Sequence, residues 1–137
     1  MNGVWVALGT LALAVVLGLA WQARQGRIRR GVTALPSAVR ACLDEAGPYD
    51  GLTLLMLSAP MCARCPQARA VLDELVTTIH PVRRLELDLG AHPAVARDLG
   101  VRSTPTTLAI SRSGHELARV IGVPRRSELL ETLTPHL

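Results

Sequence analysis

The sequence has 137 residues, which is enough for one folded domain with a hydrophobic core and too few for two. Hydrophobic residues make up 49% of the chain and charged residues 19%, a balance that excludes both a disordered polypeptide and a multi-span membrane protein. Three cysteines are too few for a disulfide-stabilised scaffold, so any cysteine chemistry must be local.

The excess positive charge lies in one short segment. All 15 basic residues are arginine, and Arg24, Arg27, Arg29 and Arg30 lie close together. The remaining arginines equal the 11 acidic residues in number, so the rest of the chain is neutral. Because the sequence has no other basic stripe and few aromatic residues, we predict no nucleic-acid partner. A chain rich in arginine and free of lysine indicates a GC-rich bacterial genome.

The N-terminal segment is predicted to be a membrane-spanning helix. No residue from Met1 to Ala23 is charged, and a helix of about 20 residues spans a hydrocarbon core of about 30 Å. Trp5 and Trp21 bracket the segment at the depth of the two interfaces. A cleaved signal peptide is the alternative, but its basic residues would precede the apolar run and small residues would follow it. We therefore expect residues 1–23 to form an uncleaved, single-pass anchor in the cell membrane.

The arginine cluster also predicts the orientation of this anchor. Basic residues beside a span tend to remain in the cytoplasm, and here they all lie on the C-terminal side. We interpret residues 24–33 as a basic juxtamembrane tether and residues 34–137 as a domain in the cytoplasm. An extracytoplasmic domain is the alternative.

Beyond the tether, the hydrophobic pattern alternates between the period of a helix and that of a strand. The short run at 52–57 is apolar except for Thr53, as in a strand buried on both faces. The predicted helices are 37–46, 62–79, 92–99 and 124–133, and the predicted strands are 52–57, 82–89, 106–111 and 117–121. This order predicts an α/β fold with a central mixed sheet flanked by helices and an antiparallel hairpin near its end.

Two cysteines lie where the first of these strands meets the long helix, in the sequence Cys62-Ala63-Arg64-Cys65-Pro66. Their spacing places both sulfurs on the first helical turn, close enough to bond. The unpaired amides and the dipole of a helix N-terminus stabilise a thiolate at Cys62, and we expect Arg64 and Pro66 to tune the same thiolate. A C-x-x-C beside a βαβ pattern is typical of a redox site, so Cys62 and Cys65 are the predicted catalytic pair.

From about Thr33 to Leu137 the chain resembles the thioredoxin family. The matching segments are the active-site loop, the central strand, the cis-proline loop and the closing hairpin with its following glycine, at residues 59–66, 85–88, 99–106, 113–116 and 122. The resemblance implies a thioredoxin-like fold. It also implies that Pro105 is a cis residue facing the disulfide and that the backbone of Thr104 binds a substrate strand.

The sequence departs from the family pattern at two places. The family usually has Trp before the first cysteine and Gly-Pro between the pair, whereas this chain has Met61 and Ala63-Arg64. The family's buried Asp, which helps to move a proton at the inner thiol, aligns with Met56. These departures favour a dedicated membrane-linked thiol reductase over a general cytosolic electron carrier.

We therefore expect a thiol–disulfide oxidoreductase that reduces disulfides at the membrane. Its substrates would be protein or small-molecule disulfides, and its electron donor a thiol system such as a thioredoxin reductase. The Cys62–Cys65 disulfide would be its redox group, with no bound cofactor. Two alternatives on the same fold are a peroxidase or sulfur-transfer accessory and a binding module in which the cysteine pair is structural.

A C-x-x-C can also be half of a zinc site, which needs two further ligands. His80, His92 and His115 lack the paired spacing of a zinc finger, and the sequence has no second C-x-x-C, so we predict no metal site. These histidines and His136 are expected in loops or at the surface. The third cysteine, Cys42, is expected to pack in the core as a small hydrophobic residue.

Overall fold

Helices and strands alternate along the chain as the hydrophobic pattern predicts, in a computed structural model that describes residues 2–24 and 26–137. The helices are α1 (Asn2–Arg24), α2 (Ser37–Glu45), α3 (Cys65–Thr78), α4 (Pro93–Asp98) and α5 (Arg126–Leu133). The strands are β1 (Ile28–Ala34), β2 (Leu52–Ser58), β3 (Val82–Asp88), β4 (Thr106–Ile110) and β5 (His115–Ile121). Each predicted element is present with small shifts at its ends, so the α/β fold is confirmed.

The five strands form one mixed sheet in the order β1-β5-β4-β2-β3. β2 and β3 are parallel, and the other three neighbouring pairs are antiparallel. All seven residues of β2 are buried, because helices cover both faces of the sheet at this strand. The chain connects β2 to its parallel neighbour β3 through α3. The segment after β2 therefore begins at the edge of the sheet where β2 ends, and α3 returns along one face of the sheet.

Two hydrophobic clusters fill the space between the sheet and its helices. On one face, Leu54 and Met56 of β2 pack with buried residues of α3 and α5. On the other face, Leu55 and Leu57 pack with buried residues of α2 and α4. The alternation along β2 follows from the two-residue period of a strand. Cys65 belongs to the first cluster, so the segment that contains the two cysteines packs on the α3 side of the core.

Residues 24–33, which we interpret as a basic juxtamembrane tether, belong to the sheet for most of their length. Most of this segment is β1, which pairs antiparallel with β5 from Ile28 opposite Val120 to Ala34 opposite His115. β1 is an edge strand, and only Ile28 among its seven residues is partly buried. Its stability comes from backbone pairing with β5, so its sequence carries no apolar alternation that could reveal a strand.

α1 is long and apolar enough to cross a membrane, and none of its apolar stretch is buried against the domain. A signal sequence near the N-terminus has the same properties. Both Trp5 and Trp21 are exposed. The helix therefore supplies an apolar surface that nothing else in the described chain covers.

Candidate active site

The two predicted catalytic cysteines are joined in a disulfide bond, with their Cα atoms 5.4 Å apart. They lie just beyond the C-terminal end of β2, in a tight turn that leads into α3. Within this turn the Cys62 amide donates to the carbonyl of Ala59 (3.3 Å), and the Cys65 amide donates to the carbonyl of Cys62 (3.2 Å). The backbone therefore holds the two sulfurs together through local hydrogen bonds.

Only the second sulfur lies on the helix, which corrects the prediction that both occupy its first turn. α3 begins at Cys65, and Cys62 lies in the preceding turn. Pro66 lies in the first turn of the helix, where a missing amide proton costs nothing, so the sequence favours a helix start at this point. Met61 has a positive φ of 61°, which bends the chain sharply before Cys62. The positive end of α3 still faces the cysteine pair.

The two cysteine residues differ in their exposure to solvent. Cys65 is only 4% exposed, whereas Cys62 is half-buried. Met61 beside it is fully exposed, at the position where the family usually has Trp. A substrate sulfur approaching from solvent therefore meets Cys62 first, and Cys65 can be reached only through its partner.

The loop before β4 lies at the same end of the sheet as the cysteine pair. β4 begins at Thr106, which is level with Leu57 near the end of β2. The Thr104–Pro105 peptide bond is cis, Pro105 is buried and Thr104 is half-buried. The carbonyl of Pro105 accepts a hydrogen bond from Gly122 (2.8 Å), and within the described residues the backbone of Thr104 makes no such bond. Thr104 therefore has free backbone groups beside the active-site turn.

The comparisons with known proteins agree with this geometry. The family model described as Thioredoxin matches residues 44–135. The chain belongs to the thioredoxin family. It is 33% identical to thioredoxin of Chlamydia muridarum over 64% of this chain and 84% of that protein. It is 30% identical to thioredoxin of Mycolicibacterium smegmatis over 74% of this chain and 96% of that protein.

A solved structure supports the same fold. The crystal structure of thioredoxin NaTrxh from Nicotiana alata is similar with a TM-score of 0.59 and 22% identity, covering 77% of this chain and 98% of that one. Membership of the thioredoxin family together with the bonded cysteine pair makes this chain a thiol–disulfide oxidoreductase. The matched region begins at residue 44, so α1 and β1 lie outside it.

Among the described residues of this thioredoxin-family protein, Glu116 is the one buried carboxylate, and it is paired with Arg119. Met56, at the position of the family's buried Asp, is fully buried in the cluster that contains Cys65. Thr107 lies directly opposite Met56 on β4 and is also fully buried. Its hydroxyl is the one buried side-chain polar atom without a partner in the part of the chain that is described. Sequence reasoning missed Thr107, because its position depends on the pairing of β4 with β2.

Arg64 is exposed at the N-cap of α3, and among residues 2–24 and 26–137 its side chain forms no ion pair or hydrogen bond. Its predicted influence on the Cys62 thiolate, and that of the exposed Pro66, therefore stay predictions. The next arginine on α3, Arg69, instead binds Glu86 of β3 through two hydrogen bonds of 2.8 and 2.6 Å. The Arg69 guanidinium lowers the pKa of Glu86 to about 2.

A second ion pair supports the loop that carries the cis peptide. Arg119 of β5 makes two hydrogen bonds to the buried Glu116, and its remaining guanidinium nitrogen donates to the carbonyl of Leu99 (2.6 Å). Hydrogen bonding to the Glu116 carboxylate raises the pKa of Arg119. Leu99 follows α4, so this arginine fixes the start of the loop that runs to Pro105. Sequence reasoning missed Arg119, because an acidic and a basic residue three positions apart in a strand do not indicate a contact with a distant loop.

The remaining candidates lie away from the cysteine pair. His80, His92, His115 and His136 are all exposed, as expected. In the described part of the chain, no group of three or more His, Cys, Asp or Glu side chains could hold a metal ion. The prediction that Cys42 packs in the core is wrong: its thiol is free and half-buried on α2, outside both hydrophobic clusters.

Proposed function

We propose that this protein reduces protein disulfides at the cell membrane, with Cys62 as the nucleophile and Cys65 as the resolving cysteine. The proposal is carried by one observation: of the two bonded cysteines where β2 leads into α3, Cys62 is partly exposed and Cys65 is only 4% exposed. The accessible sulfur must make the first contact with a substrate, and the buried one is placed to attack the bond that results.

The reaction takes place in two exchanges that begin from the reduced pair. The Cys62 thiolate attacks one sulfur of the substrate disulfide, forms a mixed disulfide and releases the other substrate sulfur as a thiolate, which takes up a proton. The Cys65 thiolate then attacks Cys62, forms the Cys62–Cys65 disulfide and releases the second substrate thiol. Two electrons have passed to the substrate. A dithiol donor, such as a thioredoxin reductase, returns them to the pair, and no bound cofactor is needed.

Substrate binding is assigned to the loop beside the pair. The free backbone groups of Thr104 are placed to hydrogen-bond an extended substrate segment, in the manner of an added strand. Pro105 closes the buried side of the same loop and contributes no amide proton. Arg64 and Pro66 at the start of α3 are assigned the role of tuning the Cys62 thiolate, since both lie within four residues of it at the helix N-terminus.

The membrane assignment rests on α1 and on the charges that follow it. We assign residues 1–23 as a single-pass anchor and residues 34–137 as the catalytic domain, on the cytoplasmic side because the arginines follow the span. A reporter fused after Leu137 tests the orientation. Activity of a reporter that functions only after export would place the domain on the opposite side.

Reduction of insulin by the full chain, with dithiothreitol as donor, tests the chemistry. We expect Cys62→Ser to lower the rate by at least about a hundredfold, and Cys65→Ser to accumulate covalent mixed disulfides with its substrates. Cys42→Ser is the matched control, because it removes a free thiol outside the pair, and it should keep the wild-type rate. A wild-type protein that does not reduce insulin, or a Cys62→Ser variant that does, would contradict the proposal and favour a structural cysteine pair.

A further inference from the structure

The connection between the membrane helix and the first backbone hydrogen bond to the catalytic domain is one residue long. α1 ends at Arg24, and the amide of Gly26 already donates to the carbonyl of Ile121 in β5 (2.8 Å). Gly26 has a positive φ of 77°, and a Cβ there would lie 3.0 Å from the carbonyl oxygen of Val123. Two residue steps span at most about 7 Å. The domain therefore cannot move away from the end of the helix.

The direction of β1 determines which end of the domain is attached. Because β1 is antiparallel to β5, the residue that leaves the anchor is next to the end of β5. There Gly26 is bonded to Ile121, and the following residue, Gly122, donates to the carbonyl of Pro105 (2.8 Å). Three strand spacings of about 4.8 Å separate β1 from β2, so the attachment point lies about 14 Å across the sheet from the strand that leads to Cys62.

Arginines line the surface on both sides of this attachment point. A cleft of about 320 Å³ includes Arg29 of β1 together with Arg102 and Arg119. A second cleft of about 310 Å³ includes Arg27 and Arg30. Across the described ranges, Arg27, Arg29, Arg30 and Arg102 form none of the ion pairs. Unpaired positive charge beside a membrane span attracts the anionic lipids of the adjacent leaflet.

We propose that the arginines around β1 bind anionic lipid headgroups and hold the redox pair at the bilayer surface, so that its substrates are disulfides of integral membrane proteins close to that surface. This inference rests on the proposed function, both for the anchor and for the exchange of thiols. The short connection confines Cys62 to a layer next to the bilayer, and the arginines keep the β1 end of the domain pressed against it. A disulfide carried far from the membrane on a rigid stalk lies outside this layer.

The test uses the full chain reconstituted in vesicles of phosphatidylcholine with phosphatidylserine, with dithiothreitol as the dithiol donor. Two single-span peptides carry the same disulfide loop, one directly beside the bilayer and one beyond a 40-residue helical spacer of about 60 Å. We expect the near disulfide to be reduced at least about tenfold faster. A variant with 120 Gly and Ser residues inserted before Gly26 gains a reach of roughly 60 Å, which matches the spacer, and its preference should fall to within about twofold.

The arginines are tested by energy transfer from a dye on Cys42 to labelled lipid, with the Cys62–Cys65 pair kept oxidised. Arg29→Ser with Arg30→Ser should lower the transfer, since each arginine contributes about fivefold to binding of an anionic surface. Arg40→Ser with Arg112→Ser is the matched control, because these two arginines line a cleft beside the β4–β5 turn, at the opposite end of the sheet. Equal transfer in both double variants would overturn the role of the arginines.

The outcomes separate the inference from the proposed function. Reduction of both peptides at equal rates would overturn the inference and leave the oxidoreductase activity and the anchor standing. Failure to reduce either peptide or insulin would refute the proposed function, and the inference with it. Recovery of a mature chain that lacks α1 would overturn both the anchor and the surface placement.

Discussion

The unpaired hydroxyl of Thr107 leads to a sharp prediction about stability. Thr107 is fully buried in the middle of the sheet, and its oxygen has no partner in the described chain. Burying a hydroxyl without a hydrogen bond costs about 1–3 kcal/mol. Valine has nearly the same shape and removes the polar atom, so Thr107→Val should raise the free energy of unfolding by about 1–2 kcal/mol. Most substitutions in a core have the opposite sign.

The assay is thermal and urea unfolding of the full chain in detergent, with the disulfide oxidised. For a domain of about 100 residues, each kcal/mol shifts the Tm by roughly 4–8 °C, so the expected rise is about 4–16 °C. Thr53→Val is the matched control. Thr53 is also buried on a neighbouring strand, but its hydroxyl accepts a hydrogen bond from Arg83 (3.0 Å). Removing the Thr53 hydroxyl leaves a donor of the Arg83 guanidinium unpaired, so Thr53→Val should lower the free energy of unfolding by about 1–3 kcal/mol.

Two valine variants that lose stability equally would refute this reasoning. Such a result would mean that the Thr107 hydroxyl has a partner in the folded protein, such as a trapped water. A rise for Thr107→Val with a fall for Thr53→Val would instead assign the difference to hydrogen bonding alone, since both substitutions are chemically the same.

Two further predictions concern charge and backbone strain. Because Arg69 lowers the pKa of Glu86 to about 2, the ionised carboxylate stabilises the fold above pH 4.5, and this contribution is lost as the pH falls from 4.5 toward 2. Glu86→Gln should lower the free energy of unfolding by about 1–2 kcal/mol at pH 7 and flatten its decline in acid; urea titrations with the same pH dependence in both proteins would contradict it. Met61 has a positive φ and a fully exposed side chain, so Met61→Gly relieves about 1–2 kcal/mol of strain and costs about 0.5–1 kcal/mol of backbone entropy. The expected net gain is about 0.5 kcal/mol, while Met61→Val should destabilise, and a urea titration that gave the reverse order would disprove the strain.

The elements that could be predicted from sequence are those whose own residues carry the signal. The sequence predicts β2 because all of its residues except Thr53 and Ser58 are apolar, and α3 because its apolar residues repeat at helical spacing. β1 could not be predicted in this way. Only one of its residues is partly buried, and it is a strand because β5 offers an unpaired edge, which is information that lies about 90 residues further along the chain.

The same distinction between local sequence signals and distant contacts applies to the residues of the candidate site. Cys62 and Cys65 are neighbours in sequence, so their spacing was enough to predict a disulfide, although the helix starts three residues later than expected. The position of Pro105 beside them came only from resemblance to a family, because no local pattern brings distant loops together. Thr107 and Arg119 depend on strand register and on a loop carbonyl, and neither leaves a local sequence pattern.

Opposite Met56, on a neighbouring strand, the buried polar group is a hydroxyl, whereas the family pattern has a carboxylate at the position of Met56 itself. This difference has a consequence for proton transfer. Met56 replaces the family's Asp, and the buried polar atom opposite it is the hydroxyl of Thr107. A hydroxyl can donate or accept a hydrogen bond, but unlike a carboxylate it does not take up a thiol proton at ordinary pH. The proton of Cys65 must then leave toward the solvent at the Cys62 side. We therefore expect the rate of the resolving step, measured by stopped flow between pH 5 and 9, to follow a single ionisation. A second ionisation would show that another group, not seen in this core, accepts the proton.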